Sequence, residues 1–211
     1  MRRLTNFSFR LSLKNHVRSN LSDFKDLRQS TEGKKQAAVA ITICQFEGES
    51  SVVVTRRSSK LKEHSGQWAL PGGRVDKNET FIAAALRELE EEVNIKVEDE
   101  AVLGTLDDYV TRSGYVITPI VIFADLKKNQ IVGNPSEVAS VHFFSFTELN
   151  RKDSPNLETI PQSDRQVLSM NYLDDRIYAP TAAMLYQFRE VAILGRATRV
   201  LDFDQPLFAW R

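Results

Sequence analysis

GRVDKNETFIAAALRELEEEVNI, residues 73–95, is the stretch that decides the fold. From Thr80 to Val93 its apolar residues Ile82, Ala85, Leu86, Leu89 and Val93 recur at helical spacing and form one stripe. Glu88, Glu91 and Glu92 stand at i, i+3 and i+4, on a face roughly opposite that stripe. Three carboxylates so close repel one another, and a divalent cation removes the cost, because hard cations such as Mg2+ take oxygen ligands. A solvated charged face is the ordinary alternative. Such faces interleave bases, however, and the run Glu88 to Glu92 contains none. Arg87 can pair with Glu91 at i+4.

Outward from the helix, the chain alternates strands and turns. Gln36 to Phe46 and Ser51 to Thr55 read as a hairpin across Glu47-Gly48-Glu49-Ser50. A polar loop from Arg57 to Ala69 leads into Leu70-Pro71-Gly72-Gly73. Val102 to Val110, Tyr115 to Ala124 and Val138 to Phe146 are expected strands, and Phe146 to Leu149 starts a helix. Residues 150–164, polar with Pro155 and Pro161, read as a loop. Arg176 to Ala179 reads as a short strand. A last helix runs from Pro180-Thr181 to Leu194, with Thr181 as N-cap and Gly195 at the exit. Strands and helices mix without regular βαβ alternation, so the expected class is α+β with a mixed sheet. The expected divisions are an N-terminal arm at residues 1–35, a domain at 36–200 and a tail at 201–211. In the arm, Phe7, Phe9, Leu11 and Leu13 alternate with polar residues at a strand-like period, and Ser22 to Gln29 reads as a short helix. The apolar Phe208 and Trp210 suit docking on the domain or on a second copy in a homodimer.

The 211 residues carry 28 Lys+Arg and 28 Asp+Glu, a formal charge of zero. That balance excludes nucleic-acid binding through bulk charge. No apolar run approaches a membrane span. The single cysteine, Cys44, excludes an internal disulfide and any multi-cysteine metal site, and fits a reducing compartment. The Arg- and Ser-rich start resembles a mitochondrial presequence, but its period is not that of an amphipathic helix, so a cytoplasmic location is favoured. The zero conceals local imbalance. Residues 1–35 hold nine bases against three acids, residues 56–62 hold four bases and no acid, and residues 87–100 hold seven acids against two bases.

Gly73, Glu79, Arg87-Glu88-Leu89 and Glu91-Glu92, at these spacings, match the Nudix box, and the sequence resembles the Nudix hydrolase family. One position departs from it: Asn94 stands where the family has Gly. Asn is the next-best residue for a left-handed helix end, so the effect expected is small. The resemblance implies a mixed β-sheet sandwiched between helices. It implies Mg2+ or Mn2+ held by Glu88, Glu91 and Glu92, with the Gly72 carbonyl as a further oxygen ligand. Glu79 and Arg87 would be a pair that orients loop and helix. The reaction implied is hydrolysis of a nucleoside diphosphate linked to another moiety, a small-molecule substrate. The general base would be a box glutamate or a carboxylate from a distant loop, for which Glu137 is the candidate.

The residues before the box are patterned too. Val53-Val54-Thr55-Arg56-Arg57-Ser58, then Lys62, Gly66 and Leu70-Pro71-Gly72-Gly73, are similar to the coenzyme A diphosphatase signature within that family. Ile177-Tyr178-Ala179-Pro180-Thr181-Ala182 is similar to a second segment of it. The signature has Arg where Lys62 stands and Phe where Leu70 stands; Lys is not equivalent to Arg in bidentate phosphate binding. Arg56, Arg57, Lys62, Gly72 and Gly73 are the expected substrate-binding residues, and strand alternation allows only one of Arg56 and Arg57 to face the site. The products expected are 3′,5′-ADP and a phosphopantetheine. ADP-ribose or a dinucleotide is the alternative substrate, and a Nudix-fold binding module without catalysis is the alternative of another class. His64 reads as an exposed loop residue and Trp68 as a wedge packing the loop on the sheet.

Overall fold

The computed structural model describes residues 9–61, 64–126 and 130–209. Lys62, Phe7 and Trp210 therefore lie outside the described residues. The chain opens with α1 (Leu11–Asp23), followed by the hairpin β1 (Lys35–Phe46) and β2 (Glu49–Arg57). Short β3 (Trp68–Ala69) and β4 (Gly72–Arg74) precede α2 (Phe81–Val93). Then come β5 (Val102–Thr105), β6 (Tyr109–Val110), β7 (Tyr115–Phe123), β8 (Val138–Ser145) and α3 (Phe146–Leu149). A second sheet, β9 (Asn156–Ile160), β10 (Ser163–Tyr172) and β11 (Asp175–Tyr178), leads into α4 (Thr181–Phe188) and a π-helical turn, Arg189–Ile193.

The main sheet runs β3-β2-β1-β7-β5, with β4 and β6 attached to β1 and β7 and β8 to β2. It is mixed: β1 and β7 are parallel, while β1–β2 and β1–β4 are antiparallel. β1 is apolar almost throughout because both its faces are covered. Ala38, Ala40 and Cys44 face α2, packing with Ala84, Ala85, Leu89 and Val93. Val39, Ile41 and Ile43 face the other way, into a core shared with α1, α4 and β10. The layers are thus helix, sheet and a second helical layer, the α+β sandwich expected.

Five local expectations are corrected. Leu11 and Leu13 belong to a helix, because Leu13, Val17 and Leu21 place one buried face against the core. That helix stops at Asp23, so Ser22 to Gln29 is not helical. The strand expected from Val102 to Val110 breaks at Asp107-Asp108. Both carboxylates are buried and bind neighbouring chain: Leu27 N–H donates to Asp107 at 2.7 Å and Gln29 N–H to Asp108 at 2.8 Å. The loop expected at residues 150–164 extends only to 155; from there β9 and β10 pair across Pro161-Gln162, and their outer ends are polar because they face solvent. Thr181 is not the N-cap of α4, which is Pro180; its hydroxyl donates instead to the Trp68 carbonyl at 3.2 Å.

Candidate active site

The box is built on β4 and α2. Gly72 pairs with Val39 and Gly73 with Ala38 on β1. Both glycines are required by close approach. A Cβ at Gly72 would meet Val39 Cα at 2.7 Å and the Ala38 carbonyl, and one at Gly73 would fall on the Glu88 carboxylate. Thr80 caps α2, its hydroxyl accepting from Ala83 N–H at 3.1 Å. Asn94 ends the helix in the left-handed region at φ 57°, ψ 32°, and its side chain donates to the Gln130 carbonyl at 3.2 Å. The departure from glycine is therefore accommodated by the backbone the position demands.

Arg87 organises the carboxylates around it. Its Nε and Nη2 donate to the two Glu79 oxygens at 2.9 and 3.1 Å, a two-pronged pair that holds Glu79 below its usual carboxylate range. Arg87 Nη2 also donates to the Arg74 carbonyl at 3.0 Å, which ties the end of β4 to the helix. Arg87 Nη1 reaches Glu88 at 2.7 Å and Glu91 at 3.2 Å. Burial nonetheless raises the Glu88 carboxyl. Glu91 is exposed. Glu92 is 4% exposed, on the inward side with Leu89 and Val93, so the three acids do not share one face opposite the stripe. Burial pushes Glu92 up to about 8. Its nearest cation is Arg57, whose Nη1 stands 4.0 Å from Glu92 Oε1.

Among the described residues no three acids already converge in a metal-holding cluster, since Arg87 occupies the space between Glu88 and Glu91. The donor set nevertheless fits a hard cation. It offers three carboxylates within two helical turns, and burial raises the pKa of two of them, Glu88 and Glu92.

Arg56 and Arg57 diverge as strand alternation requires. Arg57 faces Glu92, and its Nε is buried without a hydrogen-bond partner among the described residues. Arg56 is not brought to the box: it donates to Asp175 at 2.6 Å and to the Gly66 carbonyl at 2.6 Å, and lies 4.4 Å from the Trp68 ring centre. Trp68 is held by Asp175, to which its Nε1 donates at 2.9 Å, and by edge contacts with His142 and Tyr172. It wedges the loop on the sheet while still lining the cleft described next. Glu137 lies close enough for its charge to raise both Glu88 and Glu92, and its carbonyl accepts from Ser58 N–H at 2.7 Å, beside Arg57.

A cleft of about 350 Å3 opens on the face of the sheet opposite α2 and reaches the box at Gly72, Gly73 and Arg57. Val39 and Ile117 contribute its apolar floor, and Pro180-Thr181 contributes part of the wall. Two lining residues, Arg74 and Tyr115, escaped the sequence reading. Arg74 lies inside the box directly after Gly73, a signal that was there to use; Tyr115 has no local signal, since only strand pairing brings it near.

A mixed sheet between helical layers, with a glutamate-rich helix packed beside a glycine strand, defines a Nudix-type hydrolase fold. The NUDIX domain profile matches residues 34–168. A protein described as "Uncharacterized Nudix hydrolase NudL" from Photorhabdus laumondii is 32% identical over 166 residues, 77% of this chain and 88% of that protein. "Nudix hydrolase 3" of Caenorhabditis elegans is 32% identical over 143 residues, 66% of this chain and 60% of that protein. A crystal structure of a MutT/nudix family protein from Enterococcus faecalis aligns over 82% of this chain and 64% of its own, at 20% identity and a TM-score of 0.48. The chain belongs to the Nudix hydrolase family.

Proposed function

We propose that the protein hydrolyses coenzyme A or its derivatives to 3′,5′-ADP and a phosphopantetheine, with Mg2+ or Mn2+ held by Glu88, Glu91, Glu92 and the Gly72 carbonyl. One observation carries the reading. Beside Gly72, a buried Glu92 faces Arg57 at 4.0 Å, and the Arg57 Nε has no acceptor among the described residues. One side of that divide calls for a cation and the other for an oxyanion, and a metal-bound diphosphate supplies both. The bound cation would neutralise charge on the diphosphate and on the leaving oxygen.

The protein's own groups would do the rest. Arg57 binds a phosphate oxygen from the cleft side. Glu79 fixes the Arg87 guanidinium, which positions Glu88 and Glu91. Glu137 accepts a proton from the attacking water, whose oxygen bonds to one phosphorus as the bridging P–O bond breaks; the electron pair leaves with the departing phosphate. The coenzyme A assignment is supported by the patterned stretch Val53 to Gly73 and by Ile177 to Ala182. Pro180 and Thr181 of the second segment line the same cleft as Gly72 and Gly73.

The test is a substrate panel with Mg2+ and Mn2+, comparing coenzyme A, its thioesters, ADP-ribose and dinucleoside polyphosphates by kcat/KM. Coenzyme A or a thioester should lead. A tenfold advantage for ADP-ribose, about 1.4 kcal/mol of discrimination, overturns the substrate assignment. Absence of turnover on the whole panel with either metal favours a binding module instead.

A further inference from the structure

Among the described residues no acid lines the cleft, whereas Arg57, Arg74 and His64 do. Arg57 is accounted for by Glu92 and the diphosphate. Arg74 is not. Most arginines here are held by carboxylates, Arg28, Arg56, Arg87, Arg112 and Arg199 among them. Arg74 has no carboxylate within ion-pair distance among the described residues. Its Nε and Nη2 instead converge on the Tyr115 hydroxyl at 3.0 and 2.8 Å.

Strand register sets this grouping. Arg74 lies opposite Ala37 on β4–β1, Ala37 lies opposite Ile117, and Lys35 lies opposite Tyr115 on β1–β7. Residues two apart on a strand share a face, so Lys35, Ala37, Arg74, Tyr115 and Ile117 lie on one face of the sheet, and all but Lys35 line the cleft. Lys35 Nζ stands 5.3 Å from the Tyr115 ring centre, and the Arg74 guanidinium 5.7 Å from it. Two cations thus flank one phenol, which holds the guanidinium at the mouth of the cleft without neutralising it. The Arg74 backbone is fixed separately, through its carbonyl, by Arg87.

We propose that Arg74, positioned by Tyr115 and supported by Lys35, forms an anion subsite that reads a phosphate on the ribose of the substrate, apart from the diphosphate being cleaved. The inference rests on the substrate reading above and deepens it: the preferred substrate is a nucleoside diphosphate derivative that carries an additional phosphomonoester. Ala37 gives the ribose a floor without side-chain bulk, between the diphosphate end at Gly73 and the cations. Arg74 offers a fork of donors that matches phosphate geometry, and Lys35 adds a point charge.

The experiment compares coenzyme A with 3′-dephospho-coenzyme A for wild type, Arg74→Gln, Lys35→Gln and Tyr115→Phe. Wild type should favour the phosphorylated substrate at least tenfold in KM. Arg74→Gln should collapse that ratio to within twofold, and Lys35→Gln should narrow it. Tyr115→Phe, which keeps the ring and removes the acceptor, should narrow it with a smaller effect than Arg74→Gln. Raising the ionic strength should erode the wild-type ratio and leave that of Arg74→Gln flat. An Arg74→Gln ratio equal to that of wild type, or losses equal on both substrates, overturns the subsite. If wild type turns over neither compound, the substrate reading fails, and the subsite is judged by calorimetry with adenosine 3′,5′-bisphosphate against 5′-AMP. A preference for the bisphosphate that Arg74→Gln abolishes sustains it, and equal affinities overturn it.

Discussion

Glu92→Gln should make the metal-free protein more stable at alkaline pH while removing its activity. Glu92 is 4% exposed, and burial moves its carboxyl from the ordinary value near 4.5 to about 8. The folded pKa is raised, so folding gains from the bound proton at low pH. Between pH 4.5 and 8 the unfolded chain ionises this group while the folded chain keeps it protonated, and stability falls. Above pH 8 the folded protein holds a buried charge and the whole contribution is lost. At about 1.4 kcal/mol for each tenfold change in proton affinity, the difference is on the order of 5 kcal/mol. Glu92 stands beside Gly72 and Arg57, which border the cleft, so water and side-chain relaxation recover part of it. Half, about 2.5 kcal/mol, is the working figure, and it corresponds to about 5–10 °C in Tm for a domain of this size. The assay is thermal unfolding of both proteins in chelator from pH 5 to pH 9. The buried Gln amide carries a cost of its own, but that cost does not vary with pH. The Tm of Glu92→Gln minus that of wild type should therefore rise by several degrees across the range. Adding Mg2+ at pH 8 should restore wild type far more than the variant, because the cation takes the place of the proton. A Tm difference that stays flat with pH refutes the buried, proton-holding carboxylate, and with it the reason for placing a cation there.

The two glycines of β4 should fail in different ways. Gly72→Ala, whose Cβ strikes β1 backbone, should cost about 1–3 kcal/mol in urea unfolding; Gly73→Ala should cost less but lower kcat at least tenfold, because its Cβ displaces the Glu88 carboxylate. Equal stability losses with activity retained in Gly73→Ala would contradict the placement of Glu88. Glu137→Gln should lower kcat by about 10²-fold or more with little change in Tm, and full turnover removes Glu137 from the role of base. Mg2+ and a non-hydrolysable diphosphate analogue should each tighten the other's binding by about 5–150-fold in calorimetry, and independent binding would mean that the two ligands do not meet at Gly72.

The box was legible because its constraints are local. Helical period, the carboxylate spacing and the glycines before the helix all lie within residues 72–95, and the structure keeps them together. Even the Asn94 departure could be judged in advance, since a left-handed helix end is a property of one residue. The errors share an opposite cause. Glu92 points inward because β4 and β1 lie against that side of α2, which spacing within the helix does not reveal. The break at Asp107-Asp108 exists because residues 24–29 and the end of the chain bring donors to it, Arg199 among them at 2.5 Å. β9 was read as a loop because an edge strand exposed to water carries polar residues that look like loop composition. Arg56 and Arg57 were separable from strand alternation alone, but only the partner Asp175, far along the chain, decides that Arg56 turns away.

Within a chain of zero net charge, the groups around β4 are separated by sign. On the α2 side of β4 lie Glu79, Glu88 and Glu91, held by Arg87, and Glu92, whose ion-pair partner among the described residues is Arg57 at 4.0 Å. Lining the cleft are Arg57 and Arg74, with no acid among the described residues. The partition between them can be this thin only because β4 has no side chains where the two sides press together: the Ala38–Val39 backbone fills the space beside Gly72, and Glu88 fills the space beside Gly73. Any bulkier strand would push the acids and the bases apart. In the proposed arrangement a cation on one side and a phosphate on the other would come within direct contact, so that each would offset the charge facing it. A ligand that lacks either charge would satisfy only half of the site, which is why the geometry favours a metal-bound diphosphate over a neutral substrate or a phosphate-free one.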